Sequence, residues 1–444
     1  MNSEKRTVGQ FIDEIGSTKY TAFVVTMLAI ATMFDGFDYM LVPYTMSQIA
    51  TDWGLDPIAT GSLTSWSMIG LIVGGAVGGL LADKFGRKVM LVISVTLFSL
   101  FTIPVCFAPN FTVFAACRIL AGLALGSMLP LSISCTSELV PSKRRAVYIS
   151  TVCAMMTVGY VLASLVAMAI IPLWGWRPVF LVSGVGLLFA ILLGIAMPES
   201  PNWLVNAGRN EKAAAVLNKF AKSSGKDIVV EPNMLTVAKK EVVVEKSTMK
   251  ALFGSKEMVV TTLSLWVVYF CAMFCIYGIN AWLPSLLLQK GFDLAGSYTF
   301  SMANNFAGIF GNIFVGWVVS QIGKKKGPLV GFACAAVAIL IMAYITGGTV
   351  ILLVAACLMG WCINMMPASI NPVAPEMYQT SARSTGVAWM QSIGRLAGFL
   401  SPIIVGVVVA AGFDYSSTLA VFAIPAVIAM IFILVFFKDG ESKI

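Results

Sequence analysis

Residues 79–88 read GLLADKFGRK, a short charged turn between two apolar runs at about 59–82 and 88–107. A helix rises ~1.5 Å per residue, so about 20 apolar residues suffice to cross a ~30 Å hydrocarbon core. Outward from this turn the same pattern continues along the chain. Apolar segments fall at about 20–42, 59–82, 88–107, 111–137, 146–172 and 177–197. After a polar stretch at about 199–256, six more follow at about 257–288, 297–322, 328–346, 349–375, 384–411 and 415–437. The expected fold class is an all-α membrane protein with twelve transmembrane helices.

Composition agrees. Of 444 residues 58% are hydrophobic and only 11% charged, about half the charged fraction of a soluble domain. The mean hydropathy is +0.89. A soluble enzyme, a disordered chain and a secreted scaffold are excluded. Histidine is absent, which removes histidine proton shuttles, HExxH zinc sites and Ser-His-Asp triads. Proton chemistry inside the membrane would then fall to carboxylates. The nine cysteines lie within or at the ends of apolar runs without CxxC spacing and read as small core residues. No nucleophile with its base, metal cluster or phosphate loop is visible, so neither an enzyme nor a cofactor is expected. A channel is not supported either, because the few buried charges are single rather than arranged in rings.

Positive charge sets the orientation, since Lys- and Arg-rich loops stay on the cytoplasmic side. Of the 29 Lys and Arg, 25 fall on one face: both termini, the even-to-odd helix links and the middle loop. Arg177 and Lys290 fall on the other face, and Arg118 and Arg395 lie inside helices. Both termini are therefore expected in the cytoplasm. The net charge of +8 then follows from topology, and no nucleic-acid partner is needed. The polar start leads into a full-length apolar helix without a small-residue cleavage pattern, so no cleavable signal is expected. The middle loop reads as a Lys-rich surface helix followed by a Lys/Glu/Val tether.

The chain repeats itself. GWVVSQIGKK at 316–325 follows GLLADKFGRK at 79–88 by 237 residues. Glu138 precedes Arg145 by seven residues as Glu376 precedes Arg383, an offset of 238. Two landmarks at one offset indicate duplicated halves, residues 1–198 and 257–444 around a loop at 199–256, with a shared site expected near the midplane.

The pattern Gly79, Leu81, Ala82, Asp83, Gly86, Arg87 and Lys88 between the second and third of twelve helices resembles the signature of the major facilitator superfamily. DGFD at 35–38, RILAGLALG at 118–126, PEMYQTSARSTG at 375–386 and GR at 394–395 resemble the aromatic acid:proton symporter family within it. The resemblance implies two pseudo-symmetric six-helix bundles, alternating access, and a proton and a small organic anion as partners, with a monomer sufficing. YGINAWLPSLLLQKGF at 277–292 and PESPNWL at 198–204 are shared with niacin and other organic-anion carriers. Ser320 stands where the first half has Asp83. The fifth helix, around Gly159, lacks the Gly-Pro pair typical of drug:proton antiporters, which argues against efflux.

Candidate residues follow. Asp35 and Asp38 share a helical face and are the only acids deep in an apolar run, a costly placement that marks function. At ~22 Å from Tyr20, Asp35 is expected in the outer half of its helix. Arg118 lies ~10 Å beyond Phe111, at comparable depth. The acids are candidates for proton coupling, the alternative being that one is only a structural partner of Arg118. Arg395, ~18 Å from Arg383, is a candidate carboxylate ligand through its guanidinium fork, as is Arg118. Tyr277, Asn304, Asn305, Trp389 and Gln391 are candidates for the ring and its substituents, against a reading as packing or belt residues. Asp83, Arg87, Glu138, Arg145, Glu376 and Arg383 read as gates at the rim. The expected function is a proton-coupled importer of a small aromatic carboxylate such as a hydroxybenzoate. A carrier of niacin or another organic acid, and a non-transporting sensor, stand as alternatives.

Overall fold

The computed structural model describes residues 6–226, 228–236, 252–379 and 382–437. Among the described residues twelve helices are long and apolar enough to cross a membrane. The first six are Lys19–Trp53, Pro57–Phe85, Arg87–Phe107, Phe111–Leu139, Ser142–Trp174 and Arg177–Ala196. The second six are Lys256–Gln289, Leu294–Ile322, Lys326–Tyr344, Thr349–Met377, Thr385–Ala410 and Tyr415–Phe436. They are called spans 1 to 12; the starts of odd-numbered spans and the ends of even-numbered spans are called their near ends, the opposite ones their far ends.

The largest departure from expectation is span 1, which runs on through the polar 43–53 stretch to Trp53. Three spans change helical type beside a proline: span 5 opens as a 3-10 turn over Ser142–Arg144, after Pro141, and is α-helical from Arg145. Span 3 is α-helical to Thr102 and continues as a 3-10 helix over Ile103–Phe107, with Pro104 in its first turn. Span 6 opens as a 3-10 helix over Arg177–Gly184, with Pro178 in its first turn, before Val185–Ala196.

The chain forms two compact units, Met1–Asp38 with Ile69–Gly159 and Arg177–Val243, and Tyr39–Met68 with Tyr160–Trp176 and Val244–Ile444. These bounds cut across the sequence halves, because the far parts of spans 1, 2 and 5 group with the second half. The first unit has a core of spans 1, 3, 4 and 6 around Leu28, Phe34, Phe98, Leu125 and Phe189. It also carries a small near-end layer: the Lys-rich helix expected in the middle loop forms over Asn210–Ser224, and what the sequence reading did not foresee is its docking on the polar lead. Val8–Ile15 is an amphipathic helix with a Thr7/Gln10 capping box. Its Val8, Phe11 and Ile12 bury against Leu204, Ala213, Leu217 and Val230 from the segment after span 6. Two residues on each side add a parallel β pairing, Arg6 with Leu235 and Thr7 with Thr236. The Lys/Glu/Val stretch at 237–251 lies outside the described residues.

The duplication is visible in the backbone. Span 2 ends at Gly86 with φ 108°, and span 8 ends at Gly323, 237 residues on, with φ 90°. Only glycine takes such a conformation readily, so both turns require it.

Candidate substrate, proton and gate sites

Span 1 is 35 residues long, so Asp35 and Asp38 lie ~24 and ~29 Å from its start, near its middle. The expected outer-half placement is corrected by the helical extension to Trp53. Asp35 is 4% exposed and Asp38 fully buried. Gly36 between them serves packing: a methyl there would overlap the Met156 carbonyl, and a methyl at Gly159 would overlap the Met33 carbonyl. Spans 1 and 5 thus meet backbone to backbone at the acids.

Asp38 and Arg118 form a bidentate pair, with Nη1 donating to Oδ1 at 3.0 Å and Nη2 to Oδ2 at 2.8 Å. The Thr102 hydroxyl, at the last α-helical residue of span 3, donates to the same Oδ1 at 2.8 Å. Thr102 is one of the residues missed by sequence reasoning, because a hydroxyl in an apolar run carries no distinctive signal. Arg118 is fully buried, and among the described residues its Nε has no hydrogen-bond partner. Of the two roles left open for it, the pair with Asp38 occupies both terminal nitrogens.

In the second unit, Arg395 is the thirteenth of 28 residues in the helix Arg383–Ala410 and half-buried. Among the described residues no carboxylate lies within ion-pair distance of it. Tyr269 lies within range of its charge. Glycines flank the arginine where span 7 tyrosines press against span 11: Gly394 meets the Tyr269 ring and Gly398 the Tyr277 ring. Tyr277 sits edge-on to Tyr39 at 5.6 Å, and Tyr39 lies 5.9 Å from Tyr160. Spans 1, 5 and 7 thus contribute one tyrosine each to a cluster. The signals for Tyr39 and Tyr160 were their positions directly after Asp38 and Gly159.

Asn304 is fully buried, and its Nδ2 donates to Asn280 Oδ1 at 3.5 Å, while its own Oδ1 has no partner among the described residues. Asn305 turns back to the Ser301 carbonyl at 3.1 Å. Trp389 and Gln391 are exposed. Trp389 lies only ~9 Å into its helix and packs beside Trp266 at 6.0 Å, which separates it from the tyrosine cluster.

The rim charges resolve into two separate arrangements. In the first unit Arg87 Nε donates to Glu138 Oε1 at 2.7 Å, and Nη1 to Asp83 Oδ1 at 3.3 Å. The Ser200 hydroxyl donates to the second Glu138 oxygen. Glu199 Oε1 accepts from the backbone N–H of Arg87, Lys88 and Ser200 at 2.8 to 3.0 Å. This carboxylate supplies the cap that Gly86 cannot, at the positive end of the span 3 helix. In the second unit Glu376 pairs with Lys324. Lys324 follows Arg87 by 237 residues and Glu376 follows Glu138 by 238, so one contact is duplicated in both halves. Ser320, in the place of Asp83, returns its hydroxyl to the Trp317 carbonyl. Arg145 and Arg383 are exposed at helix starts and form no ion pair among the described residues.

Comparison with known proteins places this geometry in context. The family model described as Major Facilitator Superfamily matches residues 28–351 and 306–444. The chain is similar to the niacin transporter NiaP of Acinetobacter baylyi, 31% identical over 95% of this chain and 94% of that protein. It is similar to the gallate transporter of Pseudomonas putida, 29% identical over 98% and 96%. Its fold is similar to the inward-open xylose transporter XylE from E. coli, with a TM-score of 0.74 at 17% identity, covering 95% of this chain and 98% of that one. With twelve spans, a duplicated Gly-turn and charge pair, and a family match along most of its length, the chain belongs to the Major Facilitator Superfamily of membrane transporters.

Proposed function

We propose that the chain is a proton-coupled importer of a small aromatic carboxylate, working by alternating access of the 1–198 and 257–444 halves. The near end then faces the cytoplasm of a bacterial inner membrane and the far end faces outside; a single copy suffices. The observation that carries the reading is Arg395: a half-buried arginine midway along a span, without a carboxylate partner among the described residues and flanked by Tyr269 and Tyr277 contacts. A guanidinium in a low-dielectric cavity binds a carboxylate through two parallel hydrogen bonds, and tyrosines give the ring an apolar wall with polar tips.

Proton coupling falls to the acids of span 1. Asp38 holds Arg118, and Asp35, one turn nearer the start, is the group that gains and loses the proton. Protonating one carboxylate per monoanion carried makes transport electroneutral and driven by the pH gradient. Arg87, Asp83 and Glu138, with Lys324 and Glu376, act as near-end latches. Arg145 and Arg383 anchor their helix starts at the same rim. Asn304 and Asn305 serve ring substituents, and Trp389 and Gln391 line the near-end approach.

A carrier of niacin is the second reading, favoured by the likeness to the niacin transporter, since niacin is also an aromatic monocarboxylate. The test is uptake of labelled 4-hydroxybenzoate into proteoliposomes with an alkaline interior, with benzoate, niacin, an aliphatic acid and a sugar as competitors. Accumulation that collapses with the pH gradient and is competed by benzoate supports the proposal. Competition by niacin alone favours the second reading, and indifference to the gradient removes proton coupling.

A further inference from the structure

Pro57-Ile-Ala-Thr-Gly61 on span 2 and Pro402-Ile-Ile-Val-Gly406 on span 11 share one spacing. Within the second unit the two segments dock on each other reciprocally. A methyl at Gly61 would overlap the Pro402 carbonyl oxygen, and a methyl at Gly406 would overlap the Pro57 carbonyl oxygen. The crossing is therefore backbone against backbone, with Cα–H groups facing carbonyls. Around it the hydrogen bonds also end on main-chain carbonyls. Trp282 Nε1 donates to Pro402 at 2.9 Å, Ser65 Oγ to Phe399 at 2.7 Å, and Tyr298 OH to Tyr44 at 2.7 Å. A cavity of about 610 Å³ lies elsewhere in this unit, but at the seam itself the far-end cavity is about 520 Å³ and includes Thr60, Trp282 and Ser285 in its walls.

We propose that this reciprocal Pro-x-x-x-Gly clasp is the far-end seal of the transporter and must part before substrate enters from that side. The inference rests on the alternating-access reading above. The backbone contacts and the Ser65 and Tyr298 hydrogen bonds join residues of 1–198 to residues of 257–444 and are lost together on a small separation, whereas Trp282 stays with Pro402. Neither docking segment, 57–61 nor 402–406, carries an ionisable side chain, so the contact between them responds to helix movement. Glycine at both crossing points is what lets spans 2 and 11 close.

The test uses intact cells expressing the full chain with Thr60→Cys, labelled by a membrane-impermeant maleimide; the parent chain gives the background from its nine cysteines. Thr60 is 6% exposed and its hydroxyl donates to the carbonyl of Asp56, just before its own helix, at 2.7 Å. Adding Gly61→Ala or Gly406→Ala is expected to raise the labelling rate at least tenfold. Ser65→Ala adds no atoms and so cannot overpack the seam; it is expected to raise the rate several-fold. Gly79→Ala, whose methyl meets nothing within 4 Å, should leave the rate unchanged. Unchanged labelling in both Gly406→Ala and Ser65→Ala overturns the clasp. Uptake of 4-hydroxybenzoate by the same cells separates the two ideas: a wild type that takes up no aromatic acid defeats the substrate reading, while the labelling still decides the clasp.

Discussion

At the scale of single residues, Asp38 and Arg118 make opposite demands on a mutation from those made by Asp35. Both members of the pair are fully buried, so Asp38→Asn leaves an uncompensated guanidinium and should cost about 3–5 kcal/mol of stability, read as a lowered unfolding temperature in detergent. Thr102→Val removes one hydrogen bond to a charged group and should cost about 1.5–3 kcal/mol. Asp35→Asn, by contrast, is expected to keep the fold and downhill exchange of substrate while abolishing accumulation against a gradient; full accumulation in that variant would end its role. Arg395→Lys keeps the charge but loses the planar fork. Its expected effect is at least a tenfold rise in KM for uptake with a near-normal maximal rate, and an unchanged KM would return Arg395 to a structural part. The charged members of these sites were legible in sequence because an ionisable residue in an apolar run is expensive. Thr102, Tyr39 and Tyr160 were not, since hydroxyls and rings are ordinary in such runs and only their neighbours in space give them meaning.

At the scale of elements, all twelve spans could be placed from apolar run length, because a bilayer imposes a minimum length that few other structures need. Their ends were harder. Residues 43–53 include Ser47, Gln48, Thr51 and Asp52, yet they continue span 1 as helix, with Tyr44 against Tyr298 and Asp52 accepting from Trp176 Nε1 at 2.7 Å. Tertiary partners at the far end override composition there. The docking in the near-end layer was illegible for a related reason: its core draws Phe11 and Leu217 from segments about 200 residues apart, and neither helix alone carries enough apolar surface. Phe11 is 2% exposed, and Phe11→Ala should destabilise the docking of Val8–Ile15 by about 3 kcal/mol. Hydrogen exchange of residues 8–15 is the measurement, with fast exchange expected in the variant and unaltered protection in spans 3 and 4.

At the scale of the whole molecule, the two halves repeat a contact without repeating its surroundings, and that difference has a consequence for transport. Arg87 and Glu138 are 19% and 14% exposed, against 33% and 41% for Lys324 and Glu376. The first pair shares its charge with Asp83 and Ser200, and Glu199 caps the helix start beside it; in the second half Ser320 replaces the aspartate and bonds its own helix. Exposed ion pairs contribute little because water screens them, whereas a partly buried, networked pair loses more when one partner is removed. Glu138→Gln should therefore slow uptake at least tenfold, whereas Glu376→Gln should slow it less than threefold. Restoring the acid by Ser320→Asp should place a carboxylate one turn before Lys324, as Asp83 stands before Arg87, and narrow the gap in exposure between the two pairs. The expected sign is slower turnover in Ser320→Asp with unchanged KM, because a stronger latch delays release without touching the substrate ligands. A faster turnover in that variant, measured by exchange of labelled substrate at saturating concentration, would mean that the second-half pair does not hold the near end closed.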